Sequence, residues 1–203
     1  MNRSLMLRPA KLLGPAAAAL SLVMLAAGPA AAAPSLAQRA GSEVHWTALP
    51  ATSNKVFVVD YLDEVSIFDE AGIIPGSGCR TSGSNQVNCG RIATTTRLRM
   101  SAGDGDDSVS LGFFVPLPVP GVIDGGSGQD RIRGGSRADQ LSDPNGWSTP
   151  QSDPTFVGEG GNDMILSRNG GYDRIDCGVG FDTVFADSGA RDVVVNCENV
   201  VRF

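Results

Sequence analysis

Apolar residues in this chain fall in short runs of three or four positions, broken by Gly, Asp, Asn and Ser. The runs include VFVV (56–59), VSIF (65–68), QVNC (86–89), RLRM (97–100), SVSL (108–111) and GVID (121–124). They continue as DRIR (130–133), DMIL (163–166), DRID (173–176), DTVF (182–185) and DVVV (192–195). Neighbouring runs are often ten or eleven residues apart, as in Phe57 to Ile67 or Val87 to Leu98 to Val109. Short apolar runs bounded by turn-forming residues predict strands joined by turns. After residue 33 no stretch carries the i, i+3, i+4, i+7 stripe of an amphipathic helix, so the expected class is all-β.

The spacing is tightest in GGSGQDRIRGGSRADQLS (125–142), where Asp130 and Asp139 are nine residues apart and each is followed two places on by an aliphatic residue, Ile132 or Leu141. The same frame, Gly-Gly-x-Gly-x-Asp-x-apolar-x, fits AGDGDDSVS (102–110), GEGGNDMIL (158–166), RNGGYDRID (168–176) and CGVGFDTVF (177–185). A last, degenerate copy, SGARDVVV (188–195), keeps Asp192 and Val194. Short strands on a nearly constant period favour a solenoid of stacked turns over an antiparallel sandwich, because one such turn has too little surface to make a core alone. The expected architecture is a β-solenoid with short strands and Gly/Asp-rich turns. Val109, Ile132, Leu141, Ile165, Ile175, Val184 and Val194 should stack inside it. The insertions FFVPLPVP (113–120) and SDPNGWSTPQSDPT (142–155) interrupt the period and are expected to loop out.

Residues 1–32 read as a secretory signal peptide: Arg3, Arg8 and Lys11, then an Ala/Leu/Val run, then small residues with a cleavage point after Ala32. The apolar run from Ala16 to Ala27 is short for a bilayer span, which takes roughly 20 residues. Residues 33–54 lack periodicity and read as a flexible leader. Residues 55–101 are assigned to first, ion-poor solenoid coils, and 102–203 to a metal-binding roll. Cleavage would remove three bases and no acids, moving the formal charge from −6 to −9. That balance argues against nucleic acid or anionic membrane as partners, which call for clustered Lys and Arg, and favours cations.

Cys79, Cys89, Cys177 and Cys197 all lie in the exported part, and an even count in an oxidising compartment favours disulfides. Three pairings exist, of which the two local ones, Cys79–Cys89 and Cys177–Cys197, are preferred. Zinc is disfavoured, since no Cys-x-x-Cys occurs and the single histidine, His45, is remote in sequence.

Glycines allow tight turns whose carbonyl oxygens face the loop, and each Asp adds a carboxylate. An all-oxygen donor set suits Ca²⁺, which takes six to eight oxygens. One loop supplies too few, so an ion would be shared between loops on successive turns. With these motifs residues 102–198 resemble the hemolysin-type, or repeats-in-toxin (RTX), calcium-binding family, whose repeat is this nonapeptide. The ending RIDCGVGFDTVFADSGARDVVVNCENV is similar to the closing turn of small secreted bacterial members. The resemblance implies a parallel β-roll that completes one coil in two repeats, with Ca²⁺ between loops one coil apart. It makes Asp107, Asp130, Asp139, Asp163, Asp173, Asp182 and Asp192 the metal ligands. The implied pairs are Asp163 with Asp182, Asp173 with Asp192, Asp107 with Asp130 and Asp139 with Asp163. Arg137, at a glycine place, and the two interruptions depart from the pattern, so two to four ions of unequal affinity are expected.

Catalytic signatures are missing from the sequence. A His-Glu-x-x-His site is impossible with one histidine, and no Gly-x-Ser-x-Gly elbow is present. The expectation is a secreted, non-catalytic protein that binds calcium and folds with it, without membrane insertion. Two alternatives stay open: an adhesion module contacting a cell-surface or matrix partner through its loops, and a carbohydrate-active β-helix enzyme.

Overall fold

The computed structural model describes residues 35–189 and 191–202. The signal-peptide reading of 1–32, with its cut after Ala32, lies outside the described residues. The first part of the chain forms seven strands: β1 (Ser35–Ala40), β2 (Glu43–Thr47), β3 (Lys55–Tyr61), β4 (Glu64–Asp69), β5 (Ile73–Pro75), β6 (Arg80–Gly83) and β7 (Gln86–Arg91). A single 3₁₀ turn, Ile92–Thr94, leads into β8 (Arg97–Ser101), β9 (Ser108–Leu111), β10 (Gly121–Asp124), β11 (Arg131–Arg133) and β12 (Gln140–Ser142). The remainder holds β13 (Phe156–Val157), β14 (Met164–Leu166), β15 (Arg174–Asp176), β16 (Thr183–Ala186), β17 (Val193–Val195) and β18 (Asn199–Arg202). The protein is all-β, as its apolar pattern predicts.

The strands make two nine-stranded sheets, ordered β18-β16-β14-β12-β10-β8-β2-β1-β5 and β17-β15-β13-β11-β9-β3-β4-β7-β6. From β8 onward each strand joins the opposite sheet from the one before it, and each pairs in parallel with the strand two places along. Register therefore stacks like on like. Val56, Val109, Ile132, Phe156, Ile175 and Val194 form one apolar row. Trp46, Met100, Ile123, Leu141, Ile165 and Val184 form the other. All are buried except Val194, which is partly buried, and all belong to one core. Three-residue strands persist because each central apolar side chain is covered by its neighbours above and below, and fully burying one such side chain contributes about 1.5–3 kcal/mol.

Two expectations for the N-terminal third are corrected. Residues 35–47 are not a flexible leader but the hairpin β1–β2, turning at Gly41, whose φ of 62° suits a residue without a Cβ. Val44 and Trp46 alternate inward and pair with Leu98 and Met100 of β8. Two apolar residues on one face carry little signal along the chain; burial against a strand fifty residues away makes the strand. Arg39 locks the hairpin by donating to Cys89 O at 2.7 Å, Thr94 O at 2.9 Å and Thr95 Oγ1 at 2.9 Å. Within residues 55–91, β3, β4, β7 and β6 run antiparallel rather than as parallel coils, while β5 pairs in parallel with β1 in the other sheet.

Both local disulfides are formed, Cys79–Cys89 and Cys177–Cys197, in keeping with an oxidising environment. Among the described residues, no helix is long and apolar enough to cross a membrane. Of the two insertions, 113–120 sends Phe113, Phe114 and Val115 into solvent but keeps Leu117 and Val119 in the core, and 142–155 keeps Asp143 and Thr155 buried.

Candidate functional site

Each repeat aspartate lies just ahead of a short strand, so parallel register stacks the acids of each sheet into a row. Ahead of β12, β14 and β16, Gly121 N–H donates to Asp139 Oδ1 at 2.5 Å, Asp139 N–H to Asp163 Oδ1 at 2.8 Å, and Asp163 N–H to Asp182 Oδ1 at 2.7 Å. Asp182 N–H ends the row on Glu198 Oε2 at 2.8 Å. In the other sheet Asn54 N–H donates to Asp107 Oδ1 at 2.6 Å, Asp107 N–H to Asp130 Oδ1 at 2.8 Å, and Asp173 N–H to Asp192 Oδ1 at 3.2 Å. All four expected pairs are thus adjacent, while Asp130 and Asp139, nine residues apart, stand in different rows. The acids are not solvated turn residues: all seven are buried. Arg137, by contrast, lies exposed.

The seven differ in how fully they are satisfied. Asp139 accepts on both oxygens, from Gly121 N–H and from Gly135 N–H at 2.6 Å. Asp173 accepts from Thr155 Oγ1 at 3.0 Å and Asn169 Nδ2 at 2.9 Å. Asp192 Oδ2 accepts from Asp187 N–H at 2.8 Å and Ser167 Oγ at 3.2 Å. Asp107, Asp130, Asp163 and Asp182 each keep a buried Oδ2 without a hydrogen-bond partner. Buried polar atoms are nearly always paired, so an orphaned carboxylate oxygen calls for an explanation.

A fifth orphaned carboxylate, Asp143 Oδ2, belongs to a residue assigned by pattern to an outlooping insertion. Phe156 stacks between Ile132 and Ile175, yet two places before it stands Pro154, not an aspartate. Asp143 reaches in from the insertion instead: its Oδ1 accepts the Asn145 N–H at 2.8 Å, and its carboxyl lies close enough to Asp130 and Asp173 for both to act on its ionisation. Asn169 Nδ2 joins Asp143 to Asp173, donating to Asp143 O at 3.0 Å as well as to Asp173. The N-terminal cap of this row is also polar and buried. Asp69 accepts from Ser35 Oγ at 2.5 Å and Asn54 Nδ2 at 2.8 Å. Asn54, Asp69, Thr155 and Glu198 lie outside the nonapeptide frame, so sequence reasoning missed them. The one available signal was the Asp-Pro-Asn-Gly turn at Asp143.

Burial pushes the carboxyls of Asp130, Asp143 and Asp163 up to about 7, and those of Asp107, Asp139 and Asp173 up to about 6. Asp182 and Asp192 shift upward for the same reason. Neighbouring carboxylates add to the shift in every case but Asp139. Both effects disfavour the charged form and would be relieved by a cation.

The turns themselves are backbone against backbone. Ser127 N–H donates to Gly103 O at 2.7 Å and Gly105 N–H to Ser127 O at 2.9 Å; Gly161 N–H donates to Val179 O at 2.9 Å and Val179 N–H to Glu159 O at 2.8 Å. A Cβ at Gly134 would lie 2.6 Å from Asp139 Oδ2 and 2.7 Å from Gly158 O, so glycine there leaves room that carboxylate and carbonyl oxygens line. The turn carbonyls are used once and retain a second lone pair. Among the described residues no cluster of three or more His, Cys, Asp or Glu side chains forms a metal cage. Any cation here would therefore rely on one or two carboxylates plus main-chain oxygens. Such an oxygen-only set fits a hard ion such as Ca²⁺ and suits zinc poorly.

No family model matches the chain, and neither a curated protein nor a solved structure matches it.

Proposed function

We propose that this is a secreted, non-catalytic calcium-binding protein of the repeats-in-toxin kind, folded as a parallel β-roll in which Ca²⁺ sits between turns of the two aspartate rows. The observation that supports the reading is the orphaned carboxylate oxygen, buried and stacked, on Asp107, Asp130 and Asp143 in one row and on Asp163 and Asp182 in the other. Two loci follow from that grouping. Asp139, Asp173 and Asp192, whose oxygens are already hydrogen-bonded, act as struts between turns.

When bound, Ca²⁺ would supply positive charge and extra coordination for oxygens that now lack a partner. The chain's own residues do the rest. Oδ1 of each repeat aspartate except Asp173 holds a backbone N–H of the turn before it, Asp173 Oδ1 holding the Thr155 hydroxyl instead, and these bonds fix the spacing of the turns. The apolar residue two places on anchors the strand in the core. Glycines keep Cβ atoms out of the oxygen-lined gaps. Because stacked carboxylates repel one another when charged, ion binding and stability are coupled. The N-terminal signal would deliver the chain by the general secretory route to a compartment where its disulfides form.

A second reading is favoured by the fully satisfied Asp139, Asp173 and Asp192: the rows are hydrogen-bonded struts throughout, held partly protonated, with no ion. Calorimetric titration of the chelator-stripped mature chain with CaCl₂, with MgCl₂ as control, separates the two. Calcium binding should be saturable and raise the melting temperature. Asp107→Asn with Asp130→Asn should abolish one class of sites, and Asp163→Asn with Asp182→Asn the other. No heat and an unchanged melting curve would leave the strut reading standing.

A further inference from the structure

The row that contains Asp107 does not stop at the first repeat. Asn54 stands immediately before β3, where Lys55 and Val56 pair in register with Ser108 and Val109 of β9. It therefore holds, one turn further out, the place that Asp107 holds ahead of β9. The bonds continue the row: Asn54 N–H donates to Asp107 Oδ1 at 2.6 Å, and Ser108 N–H donates to Asn54 O at 2.9 Å. The turn 48–54 stacks on the turn 102–107 in the same way. Ala51 N–H donates to Asp104 Oδ1 at 2.8 Å, and Asp106 N–H donates to Ser53 Oγ at 3.1 Å. No glycine lies between Ala48 and Val56, which hides this turn from the repeat pattern.

An asparagine at this place divides the work. Its Nδ2 donates to Asp69 Oδ2 at 2.8 Å, which also accepts from Ser35 Oγ, while Asp69 Oδ1 accepts from Ala71 N–H at 3.0 Å. Both oxygens of Asp69 are thus satisfied. Asn54 Oδ1 is not: it is buried without a hydrogen-bond partner, as is Asp107 Oδ2 on the adjoining turn. The two residues are 2% and 3% exposed, so bulk water does not serve them.

Two buried acceptors without donors on stacked turns call for an occupant, and the local charge favours a cation. Asp69, Asp104 and Asp106 all act electrostatically on Asp107. Lys55, the base next in sequence, turns to Glu70 at 3.0 Å instead. The space between the turns is oxygen-lined: a Cβ at Gly105 would lie 2.6 Å from Thr52 O and 3.1 Å from Ser53 Oγ. Carboxamide and main-chain carbonyl oxygens are ordinary Ca²⁺ ligands beside a carboxylate.

We propose that Asn54 is a neutral calcium ligand, its Oδ1 joining Asp107 Oδ2 in a site between turn 48–54 and the first repeat; the inference rests on the calcium reading above. Through Asn54, Asp69 and Ser35 such a site ties the N-terminal hairpins to the roll. The test is calorimetric titration with CaCl₂ of the chelator-stripped mature chain, and of the same chain carrying Asp163→Asn and Asp182→Asn, in which only the Asp107 row reports. In that background Asn54→Ala should weaken binding about tenfold or more. Asn54→Asp, which keeps an oxygen and adds a charge, should tighten it, and decides the matter if Asn54→Ala does not fold. Asp69→Asn disturbs the same hydrogen-bond cluster but leaves both orphaned oxygens, and should bind calcium as the background chain does. Unchanged affinity in Asn54→Ala, or weaker binding by Asn54→Asp, would overturn the proposal and leave a water between the turns. An equal loss in Asp69→Asn would overturn it too, making Asn54 a prop. Binding by the parent that vanishes in the background chain would confine calcium to the other row and again overturn it. No binding by either chain would remove the whole calcium reading.

Discussion

Asp163 donates its backbone N–H to Asp182 Oδ1 at 2.7 Å, while Asp182 Oδ2, equally buried, has no partner. One carboxylate thus has two separable tasks. Asp182→Ala removes the acceptor and should cost about 1–3 kcal/mol with or without calcium, the penalty for a buried donor left unpaired. Asp182→Asn keeps an acceptor oxygen and removes the charge. It should leave the metal-free protein as stable as the parent or more so, and reduce the stabilisation that calcium adds. Urea melts of both variants with CaCl₂ and with chelator check this; identical calcium responses in parent and Asp182→Asn would contradict it.

Asp143 and Asp153 differ by location alone. Asp143 is buried, its Oδ1 accepting the Asn145 N–H at 2.8 Å, whereas Asp153 is exposed. Asp143→Ala should destabilise by about 1–3 kcal/mol and Asp153→Ala by less than about 0.5 kcal/mol. Comparable losses for the two would mean that Asp143 does not fill the place of the missing aspartate.

The raised carboxyl pKa values fix the sign of the pH dependence. A carboxyl near 6–7 in the folded chain and about 3.9 when unfolded binds more protons folded than unfolded between those values. Stability of the metal-free protein should therefore fall as pH rises from about 4 through about 7, then level off. Calcium should flatten the upper part of that slope by holding the charged form. Thermal melts from pH 4 to 8 in chelator, repeated in CaCl₂, read both effects. A metal-free protein whose stability climbed across this range would refute the burial argument.

Glu159 occupies the second place of its repeat with φ of 70°, where Gly103, Gly126 and Gly178 take 87°, 84° and 92°. Its ion pair with Arg133 is half-exposed, and such pairs contribute about 0–1 kcal/mol. The left-handed conformation costs a residue with a Cβ roughly 1–2 kcal/mol. Glu159→Gly should be neutral or up to about 1 kcal/mol stabilising, measured as the chemical-denaturation midpoint.

The Cys177–Cys197 bond closes a twenty-residue separation that contains β16 and β17. Replacing both cysteines by serine should cost about 3 kcal/mol through the freed unfolded chain. Hydrogen exchange should report the loss first in β17 and β18, at the open end of the sheets. Uniform loss along the chain would indicate global rather than local opening.

The repeat frame was legible wherever one residue type had a single job. Val109, Ile132, Leu141, Ile165, Ile175 and Val184 face inward because only the inward face of a three-residue strand is covered, and a period of nine or ten keeps that face in step. The local disulfides were legible for a related reason: short separations leave few pairings the chain can close. The β1–β2 hairpin was not, since Ala37, Val44 and Trp46 look unremarkable until β8 covers them.

What the sequence by itself determined is the all-β class, the inward residues of the repeats and the placement of each repeat aspartate before a strand. These follow from local rules, the alternation of a strand and the turn preference of Gly and Asp. What only the tertiary structure decided is which aspartates retain an unpartnered oxygen, that Asp143 stands near Asp130 and Asp173 where Pro154 leaves no aspartate, and that β3, β4, β7 and β6 run antiparallel. Those depend on which backbone N–H lies across from each carboxylate and which edge is free to pair, and neither is a property of any segment taken alone.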